Sequence, residues 1–83
     1  MTNLHRDLMK RQYSDIRRQF LRENRMCQTE CGLRANQIHH MKGRIGDLLI
    51  DTRYFFAVCH ECHEKIELNP AWAKEKGFSI DRL

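Results

Sequence analysis

Apolar side chains recur along the first part of the chain at the spacing of a single helical face. Met9, Tyr13, Ile16 and Phe20 follow an i, i+4, i+7, i+11 pattern. This spacing places them in one stripe, because an α-helix has about 3.6 residues per turn. Glycine and proline are absent from residues 1–26, so nothing there interrupts a helix. The pattern predicts one long amphipathic helix over residues 1–26.

The hydrophobic pattern changes after this helix. Residues 33–41 alternate weakly between apolar and polar side chains, and residues 54–58 are rich in aromatic and β-forming side chains. Both patterns are typical of strands. Between them, residues 42–47 contain two glycines, which permit a tight backbone path. A β-hairpin is therefore predicted in the middle of the chain.

The last part of the chain predicts two short helices. Residues 59–68 have helical composition. Asn69 and Pro70 suit the N-cap and first position of a further helix over residues 71–76, and Gly77 suits its end. Helix, hairpin, helix and short helix together predict an α+β fold. We divide it into the N-terminal helix, residues 1–26, and a body formed by residues 27–83.

Charge is distributed unevenly along the chain. Residues 1–25 carry seven basic and three acidic side chains, whereas residues 26–83 carry eight of each, so the net charge of +4 lies in the predicted helix. A basic helix attracts polyanions such as nucleic acid. Its apolar stripe can pack on its own domain, on a second copy of the chain or on a protein partner. No apolar run approaches the length of a membrane span, and we expect no membrane contact.

Four cysteines form two close pairs, Cys27 with Cys31 and Cys59 with Cys62. Such pairs suit either two disulfides or one tetrahedral zinc site. Residues 1–6 show no apolar signal region, so we expect reduced thiols, which favour zinc. A chain of 83 residues also benefits from a metal that joins its segments. Four thiolates close the coordination sphere, which predicts a structural role for the zinc.

Two segments that contain histidine resemble parts of a known sequence motif. The first is IHHMKGR, residues 38–44, and the second is YFFAVCHECH, residues 54–63. They resemble the two halves of the HNH endonuclease motif, in the version found in small bacteriophage and prophage proteins. The resemblance covers residues 27–77. It implies a zinc-stabilised ββα-metal core, metal-dependent hydrolysis of DNA phosphodiester bonds, and a place in the cytoplasm of a bacterial host cell.

The resemblance also implies roles for individual residues. It makes His40 the general base, and His39 and His63 ligands of a catalytic Mg²⁺ or other divalent ion. Glu67, which follows His63 by one helical turn, becomes a third ligand. Histidine titrates near neutral pH and can activate water, and a cation with few protein ligands keeps positions open for phosphate. We interpret His60 as an ordinary surface group.

One position departs from the motif. An asparagine normally stands five residues before the first cysteine of the second pair and orients the base histidine, and Tyr54 takes this catalytic position here. Two functions follow: a DNA endonuclease, or an inactive zinc-binding module that binds nucleic acid or a protein partner. The basic residues predicted to contact nucleic acid are Arg11, Arg18, Arg22, Lys42 and Arg44.

Overall fold

The computed structural model of the chain describes residues 3–81. The outer ends of the two predicted segments, residues 1–2 and 82–83, lie outside the described residues. Within that range the helices and strands are α1 (Asn3–Glu23), β1 (Gln37–His40), β2 (Phe55–Val58), α2 (His60–Leu68) and α3 (Pro70–Glu75). The predicted α+β class is confirmed, with one antiparallel hairpin and helices before and after it.

The strands are shorter than the sequence pattern predicts. In the hairpin, Gln37 lies opposite Val58 and His40 lies opposite Phe55. Two 3-10 turns, Gly46–Leu49 and Thr52–Tyr54, lie between the strands, and the second of them contains Tyr54, which was predicted to begin the second strand. At the start of the second turn the Asp51 carboxylate accepts a hydrogen bond from the backbone N–H of Arg53 at 3.1 Å. Such a side-chain bond to the backbone competes with strand pairing.

Helix α1 packs its apolar stripe on its own hairpin. The rings of Tyr13 and Phe20 meet Phe55 edge to face, with centroids 6.2 and 5.4 Å apart. Each aromatic pair of this kind contributes about 0.5–1.5 kcal/mol beyond the burial of its surface. The Arg17 guanidinium also donates to the Asn36 carbonyl at 3.0 Å. None of the helices in residues 3–81 has both the length and the apolar character of a membrane span.

A second small core lies beside the cysteines. Val58, Ile66 and Ala73 are buried there, and Phe56 stacks on Phe78 with centroids 5.0 Å apart. These contacts hold α2 and α3 against β2 on the face of the hairpin opposite α1. The core is limited in size, so a metal that joins its segments has a clear structural use.

Helix α3 ends where the sequence predicts. Gly77 has φ +81, and the N–H of Phe78 donates to the Ala73 carbonyl at 2.8 Å, which is the bond of a Schellman motif. Asn69 precedes the helix as predicted but makes no side-chain cap to it. Its amide donates instead to the Lys65 carbonyl at 2.9 Å and closes the end of α2.

Candidate metal centres

Four thiol groups converge beside α2. Cys27 and Cys31 belong to the loop between α1 and β1, Cys59 precedes α2, and Cys62 lies in its first turn. Their sulfurs all lie within 4.8 Å of one another, and those of Cys31 and Cys59 are 3.7 Å apart. A tetrahedron with Zn–S bonds of about 2.3 Å has edges of about 3.8 Å. None of the four forms a disulfide, and the cluster fits a metal ion such as zinc.

The backbone turns tightly to bring the first pair of thiols together. Glu30 has φ 67 and Gly32 has φ 90, so the loop passes twice through the left-handed region that disfavours most side chains. The N–H of Cys27 donates to the Leu33 carbonyl at 2.9 Å and closes this loop. Glycine has no Cβ, so Gly32 adopts its positive φ without strain.

Several donors point at the sulfurs. The backbone N–H of Cys59 donates to Cys27 Sγ at 3.4 Å, and that of Cys62 donates to Cys59 Sγ at 3.4 Å. The Thr29 hydroxyl lies 3.0 Å from Cys27 Sγ and 3.1 Å from Cys62 Sγ, so it connects the two pairs. Donors aimed at sulfur stabilise the thiolate form that binds metal.

Three of the thiols, those of Cys31, Cys59 and Cys62, differ in their tendency to ionise. The backbone N–H of Leu33 lowers the pKa of the Cys31 thiol to about 6. The Thr29 hydroxyl lowers the pKa of Cys62 as well, but burial and the neighbouring sulfurs outweigh it and raise that pKa to about 12. Burial raises the pKa of Cys59. Four thiolates at this spacing therefore need a cation among them, because like charges oppose ionisation.

A second cluster of potential ligands lies between β1 and α2. His39 comes from β1, and His63 and Glu67 are one turn apart on α2. One ligand atom of each lies within 4.8 Å of the others. His63 Nε2 is 3.1 Å from Glu67 Oε1, and the His39 and His63 rings are 5.4 Å apart. Two imidazoles and one carboxylate suit a divalent ion with open positions.

Burial makes His39 a suitable ligand. The residue is 9% exposed, and burial, followed by the charge of His63, lowers the pKa of its imidazole. The ring is therefore neutral around neutral pH, as metal binding requires. Its Nε2 lies 3.1 Å from the Ser79 hydroxyl, so the segment after α3 contributes to the site.

His40 points to the opposite face of the hairpin, as successive residues of a strand do. Its ring lies 5.4 Å from that of Tyr13 and 4.9 Å from that of Phe55. Its Nε2 donates to the Leu49 carbonyl at 3.1 Å, which leaves the lone pair on Nδ1. Burial lowers the pKa of this imidazole, so the ring is neutral near pH 7.

One cavity joins the two histidines of β1 to the residues of α2. Its volume is about 290 Å³. The residues that line it are Ile38, His39, His40, Gly43, Arg44, His63 and Glu67. The predicted base and all three predicted ligands of the divalent ion therefore border the same space, with one arginine at its edge.

Tyr54 is not among the residues that line this cavity. Lys42 Nζ and the Arg53 guanidinium lie over its ring, 4.6 and 5.3 Å from the centroid. The Tyr54 carbonyl accepts from the N–H of Met41 at 2.8 Å. Within residues 3–81 no hydrogen bond joins Tyr54 to His40, and the Leu49 carbonyl is the group that accepts from His40 Nε2. A backbone carbonyl carries no sequence signal, which is why sequence reasoning missed it.

The basic residues predicted to contact nucleic acid lie in two places. Arg11, Arg18 and Arg22 are exposed on α1, and Arg18 lies 3.6 Å from the Asp15 carboxylate. Lys42 and Arg44 follow β1, and of the five predicted residues only Arg44 borders the histidine cavity.

Gln37 and His60 also belong to the histidine cluster. The Gln37 side-chain oxygen accepts from His63 Nδ1 at 2.6 Å, and its nitrogen lies 3.1 Å from His60 Nδ1. Gln37 stands two residues before His39, so strand alternation indicates that both face α2. The two-residue spacing between Gln37 and His39 was the sequence signal that could have placed Gln37 at this site. His60 was predicted to be an ordinary surface group. It is exposed, but its ring also contacts the Gln37 amide nitrogen.

Comparison of the chain with protein-family models, with curated proteins and with solved structures gives no match. The proposed function therefore rests on the two clusters and on the fold that positions them.

Proposed function

We propose that the protein is a metal-dependent endonuclease of the HNH type, which hydrolyses phosphodiester bonds of DNA. One observation carries this proposal: ligand atoms of His39, His63 and Glu67 lie within 4.8 Å of one another, and His40 borders the same cavity. A bound divalent cation supplies positive charge for the scissile phosphate and the leaving oxygen. The order β1, β2, α2 agrees with the ββα core that the sequence resemblance implies.

The ligand set fits a divalent cation. His39 and His63 offer nitrogen and Glu67 offers a carboxylate oxygen, and three protein ligands leave room for water and phosphate. Imidazole suits transition ions better than Mg²⁺, whereas carboxylate suits Mg²⁺ and Mn²⁺. The site therefore accepts Mg²⁺ in principle, and we expect stronger binding of Mn²⁺ or Ni²⁺.

His40 serves as the general base in this proposal. Its Nε2 hydrogen is committed to the Leu49 carbonyl, so Nδ1 takes the proton of the attacking water. Burial keeps the pKa of the ring below its ordinary value, and the base is therefore neutral at the working pH. Tyr13 and Phe55 hold the plane of the ring from two sides. Arg44, at the edge of the cavity, is placed to contact phosphate.

The four thiolates hold a structural zinc in the same proposal. Cys62 and His63 are consecutive on α2, so their side chains diverge by about 100°. One of them belongs to the thiol cluster while the other belongs to the histidine cluster. Zinc that binds Cys62 and the loop cysteines thereby fixes α2 against β1, and this sets the separation of His63 and His39.

Cleavage of supercoiled plasmid tests the function. Zinc-loaded protein with added Mg²⁺, Mn²⁺ or Ni²⁺ is expected to convert the plasmid to nicked circles, and His40→Ala is expected to do so far more slowly. A chelator added after zinc loading, too weak to remove thiolate-bound zinc, should stop the reaction. The proposal is rejected if wild type and His40→Ala give equal product with every cation.

DNA binding through α1 is tested by a salt series. The double variant Arg18→Glu and Arg22→Glu should flatten the dependence of log K on log salt by about 0.9 for each phosphate that the protein no longer neutralises. Lys74→Glu with Lys76→Glu changes the net charge equally at exposed positions in α3 and at its C-cap, and should leave the slope near that of wild type. An unchanged slope in the arginine variant would exclude α1 from the DNA interface.

A binding module without catalysis is the second candidate. It is favoured by Tyr54, whose ring lies under Lys42 and Arg53 rather than in the cavity. Such a module would bind plasmid with the salt dependence given above and leave it supercoiled. The cleavage measurement therefore separates the two candidates.

A further inference from the structure

Gln37 joins β1 to two histidines of α2. Its oxygen can only accept, so the 2.6 Å contact to His63 requires a proton on Nδ1 of that ring. Its NH₂ group can only donate, so the 3.1 Å contact to His60 uses the Nδ1 lone pair of that ring. With the Gln37 amide in this orientation both contacts are complete hydrogen bonds, one accepted from His63 and one donated to His60.

The position of this proton decides whether His63 can bind a cation. A neutral imidazole carries one N–H, and the nitrogen that holds it cannot ligate. His63 Nε2 is the nitrogen that faces the cluster, 3.1 Å from Glu67 Oε1. We infer that Gln37 is a positioning residue that holds the His63 proton on Nδ1 and leaves Nε2 free to bind a divalent cation together with His39 and Glu67. The inference rests on the metal site of the proposed function.

Two acceptors compete for this proton. The Glu67 carboxylate lies 3.1 Å from Nε2 and draws the proton there, whereas the Gln37 oxygen lies 2.6 Å from Nδ1. The Gln37 contact is the shorter of the two, and the inference assigns the proton to Nδ1. If the Gln37 side chain is removed, the Glu67 carboxylate is the acceptor that remains among the contacts described for His63. The proton then moves to Nε2, the nitrogen that the cation needs. Partners of this kind around a metal-binding histidine commonly control its tautomer and its affinity.

The fold holds Gln37 where this role requires. The residue pairs with Val58 in the hairpin, and Val58 is fully buried, so the backbone of Gln37 is fixed against the core. His60 is exposed, and it acts on the cluster through the Gln37 amide. Gln37 therefore lies between a surface residue and a ligand.

Nuclear magnetic resonance of ¹⁵N-labelled imidazoles tests the proton position directly. The zinc-loaded full chain is measured without a second metal, at a pH at which the spectrum itself shows one N–H on the His63 ring. Wild type should show His63 protonated on Nδ1. In Gln37→Leu the proton should move to Nε2, and in Gln37→Glu it should stay on Nδ1, because the carboxylate still accepts. A proton on Nε2 in wild type, or the same tautomer in wild type and Gln37→Leu, would overturn the inference.

Titration with Mn²⁺, followed by the electron paramagnetic resonance of the free ion, tests the consequence. Gln37→Leu should weaken Mn²⁺ binding about 10- to 100-fold, and Gln37→Glu should restore it. Gln19→Leu, the same substitution on the exposed face of α1, is the control. Equal affinity in wild type and Gln37→Leu would contradict the inference. If wild type itself fails to bind Mn²⁺, the proposed metal site is rejected, and the imidazole spectra still decide the role of Gln37 toward His63.

Discussion

Cys31→Ser should release the proposed zinc and unfold the body of the domain, even though Cys31 is exposed. An exposed side chain contributes little packing, and most surface substitutions change stability by within about 0.5 kcal/mol. Structural zinc contributes an apparent binding free energy of about 10–16 kcal/mol in small zinc-binding peptides. Removal of one thiolate is therefore expected to cost an amount comparable with the whole stability of a domain, which is about 5–15 kcal/mol. Metal content and thermal unfolding by circular dichroism measure both effects.

Leu33→Ser is the matched control for this substitution. Leu33 lies in the same loop and is 48% exposed, so the substitution places serine in similar surroundings and keeps the Leu33 backbone N–H that lowers the pKa of Cys31. The variant should keep about one zinc per chain and a melting temperature near that of wild type. Full zinc content and a native melting curve in Cys31→Ser would show that the four thiols do not form one metal site.

His40→Ala should lower the rate of plasmid cleavage about 10²- to 10⁴-fold, the usual contribution of a general base. Mn²⁺ affinity should remain that of wild type, because His40 faces α1 and its Nε2 bonds the Leu49 carbonyl. Glu67→Gln should instead weaken Mn²⁺ binding and lower the cleavage rate together. Single-turnover cleavage and Mn²⁺ titration of the same preparations separate these two effects.

Glu61→Gln provides the control on the same helix. Glu61 is exposed in the first turn of α2, so the variant makes the same chemical change as Glu67→Gln outside the cluster, and both its rate and affinity should stay at wild-type values. His40→Gln refills part of the space between Tyr13 and Phe55 and checks that loss of rate does not follow loss of packing. Cleavage at the wild-type rate by both His40 variants would remove His40 from the mechanism.

The elements set by local spacing were predictable from the sequence. The stripe Met9, Tyr13 and Phe20 predicts α1, because helical periodicity is a property of adjacent turns. The close cysteine pairs predict a common metal cluster, and the structure brings their sulfurs together. Gly77 predicts the end of α3, because few other residues adopt its positive φ. In each case the information lies within a few residues of the feature.

The features that depend on contacts across the fold were not predictable. The Leu49 carbonyl that holds His40 is a backbone group. The Gln37 contact depends on the register of the hairpin and on the position of α2, neither of which a local pattern specifies.

The central claim is that one scaffold carries a closed thiolate site and an open histidine site. Anomalous diffraction from crystals of the zinc-loaded chain soaked in Mn²⁺ tests this claim most directly. Data at the two absorption edges distinguish the ions. We expect zinc enclosed by the four cysteine sulfurs, and manganese in contact with His39, His63 and Glu67. Crystals that show the zinc in place but no manganese at the histidine cluster would contradict this claim.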